Sequence, residues 1–410
     1  MTQTADHPVT QASPAAQGAL PLEGLRVVEF THMVMGPTCG LVLADMGAEV
    51  IKVEPVEGDR TRQLLGTGAG FFPLFNRNKK SIALNLRDPD GAEAARRLAA
   101  GADVVIENFR PGTMAKYGLD YASLSKQNPR LIYASHKGFL PGPYENRTAL
   151  DEVVQMMGGL AYMTGRPGDP LRAGTSVNDI MGGMFGAIGV LGALAQRGIT
   201  GRGQEVQSAL FENNVFLVSQ HMMQYAITGE AAAPMPERIS AWAVYDVFSA
   251  RDGQIFLAAV SEAQWRVFCD AFGFDDLLAD PALATNNQRV RARATLLPEL
   301  RKRLGDYTVA ELSGRFEDAG LPFAPIVRPE ELYEDPHLKA TNGLAEVALP
   351  DAPEPGRRAG AALLPLAMGQ GRLGVRLHPP RRGEHTSELL EQLGYGPEAI
   401  DIMRGRGAVH

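Results

Sequence analysis

Short β-branched runs alternate with helical stretches through the first part of the chain, which restricts the fold to a mostly parallel sheet covered by helices on both faces. GLRVVEF (24 to 30) reads as a strand, MGPTCGLVLADMG has the helical spacing of apolar residues, and AEVIKVEP (48 to 55) returns to a strand. These three make a βαβ unit. SIALNL (81 to 86), an amphipathic helix around DPDGAEAARRLAAG, DVVIENF (103 to 109) and RLIYAS (130 to 135) continue the pattern. In such sheets the ligand crevice lies beyond the carboxyl ends of the strands. Here those ends read THMVMGP, EPVEGDR, ENFRPG and HKGFLPG, rich in glycine, proline and charge. The first turn lacks GxGxxG, which argues against a nicotinamide or flavin enzyme.

Beyond about residue 225 the texture changes. AWAVYDVFSARDGQIFLAAV predicts a hairpin through Asp252-Gly253, and EAQWRVFCDAFG, ATLLPELRKRLG and TVAELSGRFEDAG predict helices of a second, α+β domain ending near Asp335-Pro336. The stretch from Leu349 to Pro380 reads as a surface run, and HTSELLEQLGYGPEAIDIMRGRG as two short helices. The first twenty residues read as a disordered tail without a secretory signal. MGGMFGAIGVLGALA, Met181 to Ala195, is fifteen residues long, too short to span a bilayer; its glycines predict a buried helix against which another backbone comes close.

The formal charge of −7 argues against a nucleic-acid surface. Cys39 and Cys269 are far apart and the eight histidines show no metal-ligand spacing, so no disulfide framework and no metal is expected and a reducing, cytoplasmic setting fits.

One acidic candidate lies within a glycine-rich loop and another just upstream of it. GLAYMTGRPGDPLRAG, residues 159 to 174, holds Asp169 between Arg166 and Arg172, and Asp151 heads the run DEVVQMMGG just upstream. Read without further context, Asp169 is a solvated turn residue and Asp151 a helix N-cap. Asp179, in SVNDIMGG, reads as a cap of the glycine-rich helix.

Taken in order, GLRVVEFTHMVMGPTCGLVLADMGAEVIKVEP, NRNKKSIALNL, ADVVIENFRPG, GRGQ (201 to 204), DPALATNNQRVRAR and GEHTSELLEQLGY resemble the class III CoA-transferases, the family that includes formyl-CoA and carnitine CoA-transferases and the α-methylacyl-CoA racemases. The resemblance covers nearly everything from Pro21 onward. It implies an α/β fold with a large Rossmann-like domain formed by both chain ends, a smaller inserted α+β domain, and an interlocked homodimer. The corresponding boundaries are 21–224 for the first part of the large domain, 225–336 for the small one, and 337–410 for a linker and the return.

The resemblance also implies chemistry. A carboxylate attacks an acyl-CoA thioester, forms a mixed anhydride and releases CoA, and a second carboxylic acid then receives the CoA. The substrates are acyl-CoA and a small carboxylic acid, with no permanently bound cofactor, no nucleic acid and no membrane. In much of the family the nucleophile lies in a loop TGxxDGPP, which aligns here with TGRPGDPLRAG and points to Asp169. Asp151, with Gln155 four residues on, matches another acid of the family site and is the second candidate. Asp179 also matches a family acid, which in racemases acts as acid or base; its role stays open. Racemases carry a His before the acid that corresponds to Asp151; here it is Leu150, which disfavours racemisation. A non-catalytic acyl-CoA-binding protein of the same fold is the other alternative.

For CoA itself, Asn108 and Lys137 match family contacts, Lys116 stands where relatives often have Arg, and His32 and Met33 match the turn beside the pantetheine arm. Lys79, Lys80 and Arg110 are added on charge and place. Val34 and Pro55 replace a Gln and a base of formyl-CoA transferase, so formate and oxalate are not expected substrates. Arg166 and Arg172 suggest a clamp for the second carboxylate of a dicarboxylic thioester such as succinyl-CoA.

Overall fold

The computed structural model describes residues 20–238, 240–369 and 371–410. Apart from Leu20, the tail expected over residues 1–20 lies outside the described residues. Contacts divide the chain into two units, residues 232–335 and the remainder on either side of them. The boundary expected at 225 falls inside the helix Leu210–Thr228, which ends on Gly229 in the left-handed conformation (φ 72°).

The larger unit is built on six parallel strands: β1 (Arg26–Phe30), β2 (Glu49–Glu54), β3 (Lys79–Ala83), β4 (Val104–Glu107), β5 (Ile132–Lys137) and β6 (Glu205–Ala209). Their order is β3-β2-β1-β4-β5-β6. The direction of progression reverses between β1 and β4, and a crevice opens beyond the carboxyl ends of strands at such a reversal. Both faces of the sheet are covered, which is why the strands read as nearly unbroken apolar runs. Val28, Ile51 and Val105 enter one layer with Leu98 and Leu124, whereas Val27, Val50 and Val104 enter the other with Leu43 and Val190. β3 starts two residues earlier than expected, because Lys79 and Lys80 pair in register with Val50 and Ile51.

The end of the chain returns to this unit. Leu389, Leu390, Ile400 and Met403, from the helices Thr386–Gln392 and Pro397–Gly405, share the core layer of Val28 and Val105. The run expected over the surface at 349–380 includes structured elements: Arg358–Ala362 pairs antiparallel with Leu344–Ala348.

The smaller unit has its own core of Trp265, Phe268, Phe272, Leu300 and Phe316 beside an antiparallel sheet of β7 (Val244–Ser249), β8 (Gln254–Ala259) and β9 (Phe323–Pro325). The Asp252-Gly253 turn closes the β7–β8 hairpin, with Ala250 N donating to Gly253 O at 2.9 Å.

The glycine-rich segment is the crossover helix Val177–Thr200, 24 residues rather than the fifteen of its apolar centre. It is long and apolar enough to cross a membrane. Its packing is that of a core helix on one face and an open helix on the other. Gly182, Gly183, Gly186, Ala187 and Val190 are buried, while Met184 and Ile188 are exposed, so the expectation of a buried helix holds for one face only. A Cβ at Gly183 would lie 2.5 Å from Met35 O and 2.5 Å from Thr38 Cβ, and one at Gly186 would enter the His136 ring. The glycines thus allow the helix to lie against β5 and the helix Met35–Asp45, which outweighs their low helix propensity.

Candidate active site

The crossover helix runs from the carboxyl edge of the sheet, where β5 ends, to the amino edge, where β6 begins. Its first turn therefore stands at the crevice. The first amides of a helix have no intrahelical partner, and here they are met by an acid from another helix. Asp151, at the start of Asp151–Met157, accepts from Asn178 N at 2.7 Å and Asp179 N at 3.0 Å through Oδ2, while Gln155 Nε2 donates to Oδ1. Gln155 is in turn fixed by Ala173 N, which donates to its Oε1 at 2.8 Å. Asp151 is buried and both its oxygens are engaged.

Asp179 is the contrast. Its backbone is held by Asp151, but among the described residues its carboxylate accepts no hydrogen bond and pairs with no cation. Burial of the carboxyl, then the charges of Asp151 and Glu152, push its pKa from 3.8 up to about 7. The helix N-terminus favours the anion, yet desolvation and two like charges outweigh it. A basic, partly buried carboxylate at a crevice has the attributes of a nucleophile.

Asp169, the first choice from the sequence, is exposed in a tight turn in which Arg166 N donates to Asp169 O at 3.1 Å and Asp169 N to Arg166 O at 2.9 Å. Gly168 closes this turn at φ 77°. Its side chain is exposed, whereas a mixed anhydride needs shelter from water. Asp151, the second choice, is committed to holding the helix head. The surroundings of both differ from those of Asp179. Arg172 lies beside the same acids and is paired with Glu152, both side chains about half exposed.

The residues expected to contact CoA divide into three groups. His32, Met33 and Asn108 come together at the carboxyl ends of β1 and β4. Asn108 Oδ1 accepts from His32 N at 3.1 Å, Asn108 Nδ2 donates to His32 O at 2.8 Å, and the His32 ring stacks on Phe109 at 5.4 Å. Arg110 and Lys137 line one recess of about 270 Å³ with Glu107, Tyr133 and Gln207. Lys137 is held by Glu107 at 2.6 Å and Phe109 O at 2.9 Å, whereas Arg110 has no side-chain partner among the described residues. Lys116 is exposed on a neighbouring turn and does not line this recess.

Lys79 and Lys80 are corrections. Both start β3 at the amino edge of the sheet, and both are already neutralised. Lys79 is fully buried, donating to Glu29 at 2.9 Å, Pro37 O at 2.9 Å and Asn76 Oδ1 at 3.2 Å. Lys80 bridges Glu49 at 3.0 Å and Glu388 at 2.7 Å. His136, in β5, is buried beneath Gly186, and burial lowers its pKa to about 4.

Comparison with known proteins gives this crevice a family. Residues 22–386 match the family model for CoA-transferase family III. An acyl-CoA transferase of Fusarium pseudograminearum is 35% identical over 97% of this chain and 90% of its own length. The succinate–glutarate CoA-transferase of Agrobacterium fabrum is 34% identical over 91% of this chain and 96% of its own. Among solved structures, a CaiB/BaiF family protein from Brucella suis superposes with a TM-score of 0.81 at 34% identity, covering 92% of this chain and 100% of that one. With both the motif order and these matches spanning the two units, the chain belongs to CoA-transferase family III and is a CoA-transferase enzyme.

Proposed function

We propose that Asp179 is the nucleophile of this transferase and that the transfer runs through aspartyl intermediates. The observation that carries this reading is the unpaired, partly buried carboxylate at the head of the crossover helix, beside an acid whose every oxygen is used. An Oδ of Asp179 attacks the thioester carbonyl, a C–O bond forms, the C–S bond breaks, and CoA leaves as thiolate. The thiolate attacks the aspartyl carbonyl of the anhydride, releasing the donor acid and leaving CoA on Asp179. The acceptor carboxylate attacks that thioester, expels CoA thiolate and forms a second anhydride. CoA thiolate then attacks the acyl carbonyl, giving the new acyl-CoA and the free aspartate. Every step exchanges one acyl derivative for another, so no redox partner or external energy source is needed.

The protein's part is positioning and charge. Asp151 and Glu152 raise the basicity of Asp179, and a more basic carboxylate is the better nucleophile towards a thioester. Arg110 and Lys137 supply cations at the carboxyl edge for CoA phosphates.

For the acids, the Agrobacterium fabrum relative is named for succinate and glutarate, both dicarboxylic. Arg172, held by Glu152, and the exposed Arg166 stand in the loop that follows Asp151, where a guanidinium grips the distal carboxylate of such a substrate. Racemisation is disfavoured, since Leu150 occupies the place of the racemase histidine and its side chain is exposed.

Exposed Phe216, Met222, Met223, Tyr225 and Ile227 on the helix Leu210–Thr228 support a homodimer that covers this apolar face. Sedimentation at twice the chain mass is its test.

The activity is tested by incubating the protein with succinyl-CoA and a panel of mono- and dicarboxylic acids, with new CoA thioesters read by mass spectrometry. Dicarboxylyl-CoA products that vanish in Asp179→Asn support the proposal. No exchange with any donor and acceptor, alongside tight acyl-CoA binding, would favour the non-catalytic binder.

A further inference from the structure

The turn between β1 and the helix Met35–Asp45 has an unusual construction. Met33 adopts φ 62°, one of only three non-glycine residues with positive φ among those described. A side chain is disfavoured there, and such a conformation persists where the surroundings over-determine it. The surroundings here are four side chains, three of them from other segments and one from the helix that follows. Lys52 Nζ donates to Thr31 O at 2.7 Å, Asn108 brackets His32 N and O, Met33 N donates to Thr61 Oγ1 at 3.0 Å, and Thr38 Oγ1 donates to Val34 O at 2.8 Å.

Thr61 is itself held from below. Its N donates to Asp59 Oδ1 at 2.9 Å, Asp59 pairs with Lys52 at 3.0 Å, and Asp59 N donates to Glu54 Oε2 at 2.9 Å. Thr61, Asp59, Lys52 and Glu54 are all buried. Lys52 thus reaches the turn twice, directly through Thr31 O and indirectly through Asp59 and Thr61. The turn in turn abuts the nucleophile's helix: Met35, its next residue but one, packs on Gly182 and Gly183, within four residues of Asp179.

We propose that Thr61, carried on the Asp59–Lys52 ion pair, is a positioning residue for transfer: it holds Met33 in the left-handed conformation and so sets the β1 turn against which the acyl thioester is aligned with Asp179. The role of the turn rests on the reading of Asp179 given above. Thr61 touches no reacting atom; it acts through the Met33 amide. A misplacement of a fraction of an ångström in such a turn lowers the rate without abolishing the chemistry.

The test compares Thr61→Val, which keeps the shape and removes the hydroxyl acceptor, with Thr61→Ser, which restores it. Two readouts are used: kcat and KM for exchange between succinyl-CoA and a dicarboxylic acid, and hydrogen exchange of the peptide spanning residues 30–36. Thr61→Val is expected to lower kcat about 10- to 100-fold with KM changed far less, and to speed exchange in that peptide while peptides from the smaller unit stay unchanged. Thr61→Ser is expected to regain both. Unaltered kcat with unaltered exchange at 30–36 overturns the proposal, as does loss of protection throughout the larger unit, which would make Thr61 a general stability residue. The hydrogen-exchange arm does not depend on activity, so loosening of the turn in a protein whose Asp179→Asn variant still transfers CoA would overturn the nucleophile and leave the clamp standing.

Discussion

Replacing Asp179 by Asn should abolish transfer and at the same time stabilise the protein, by an amount that grows with pH. The carboxyl is held at about 7 in the folded protein against an ordinary 3.8. A raised pKa means that the folded state favours the protonated form. Its contribution to stability is intact below the unfolded value, declines as pH rises above it, and is fully lost once pH has passed the folded value. Linkage gives a penalty of about 2 kcal/mol at pH 5 and about 4 kcal/mol at pH 8 for a shift of this size. Halved for solvent access and local relaxation, these become about 1 and about 2 kcal/mol. Asn carries no charge and removes the penalty. For a chain of this length about 2 °C in Tm accompanies each kcal/mol, so Asp179→Asn should melt ~2 °C above the parent at pH 5 and ~4 °C above it at pH 8. Differential scanning calorimetry at matched ionic strength across this range is the assay. A difference in Tm that stays constant with pH, or that shrinks as pH rises, would show that Asp179 is solvated or paired with a cation and would refute the reasoning.

Three further outcomes follow from the same geometry. With Asp179 acting as an anion, kcat/KM should rise about tenfold per pH unit below about 7 and level off above it; a profile flat down to pH 5 would exclude a group of this basicity. Asp151→Ala strips the acceptor from two helix amides and should lower stability by roughly 1 to 3 kcal/mol in denaturant titration, whereas Asp169→Asn should leave both stability and exchange rate within about twofold of the parent. Gly183→Ala drives a Cβ to 2.5 Å from Met35 O and should destabilise by roughly 1 to 3 kcal/mol, while Gly192→Ala, with nothing within 4 Å, should stabilise by about 0.5 to 1 kcal/mol; both are read by thermal melts.

How much of this was legible in the sequence differs between fold and site. The strand-helix alternation located all the first five strands of the sheet, because burial on both faces leaves an unmistakable apolar run. The glycines of Met181 to Ala195 announced close packing, and Gly183 and Gly186 show where it happens. The site was harder to read, since a nucleophile is defined by what does not contact it. Asp169, Asp151 and Asp179 are alike as letters. Only the fold shows that the first is open to water, the second is consumed by two amides and a glutamine, and the third is left unpaired. Proximity of Asp179 to the helix start suggested a cap, but the cap is delivered from 27 and 28 residues upstream. Lys79 and Lys80 misled for the converse reason. A lysine pair at a strand start resembles a phosphate grip until Glu29, Glu49 and Glu388 are seen to neutralise it.

The most direct test of the account is chemical capture of the covalent intermediate. Incubation with an acyl-CoA donor, quenching with hydroxylamine or borohydride, and peptide mapping by mass spectrometry report which carboxyl has been activated as an anhydride or thioester. The account predicts one donor-dependent modification, on Asp179 and absent from Asp179→Asn. Modification of Asp169 or Asp151 instead, with Asp179 unmodified while CoA exchange proceeds, would contradict it.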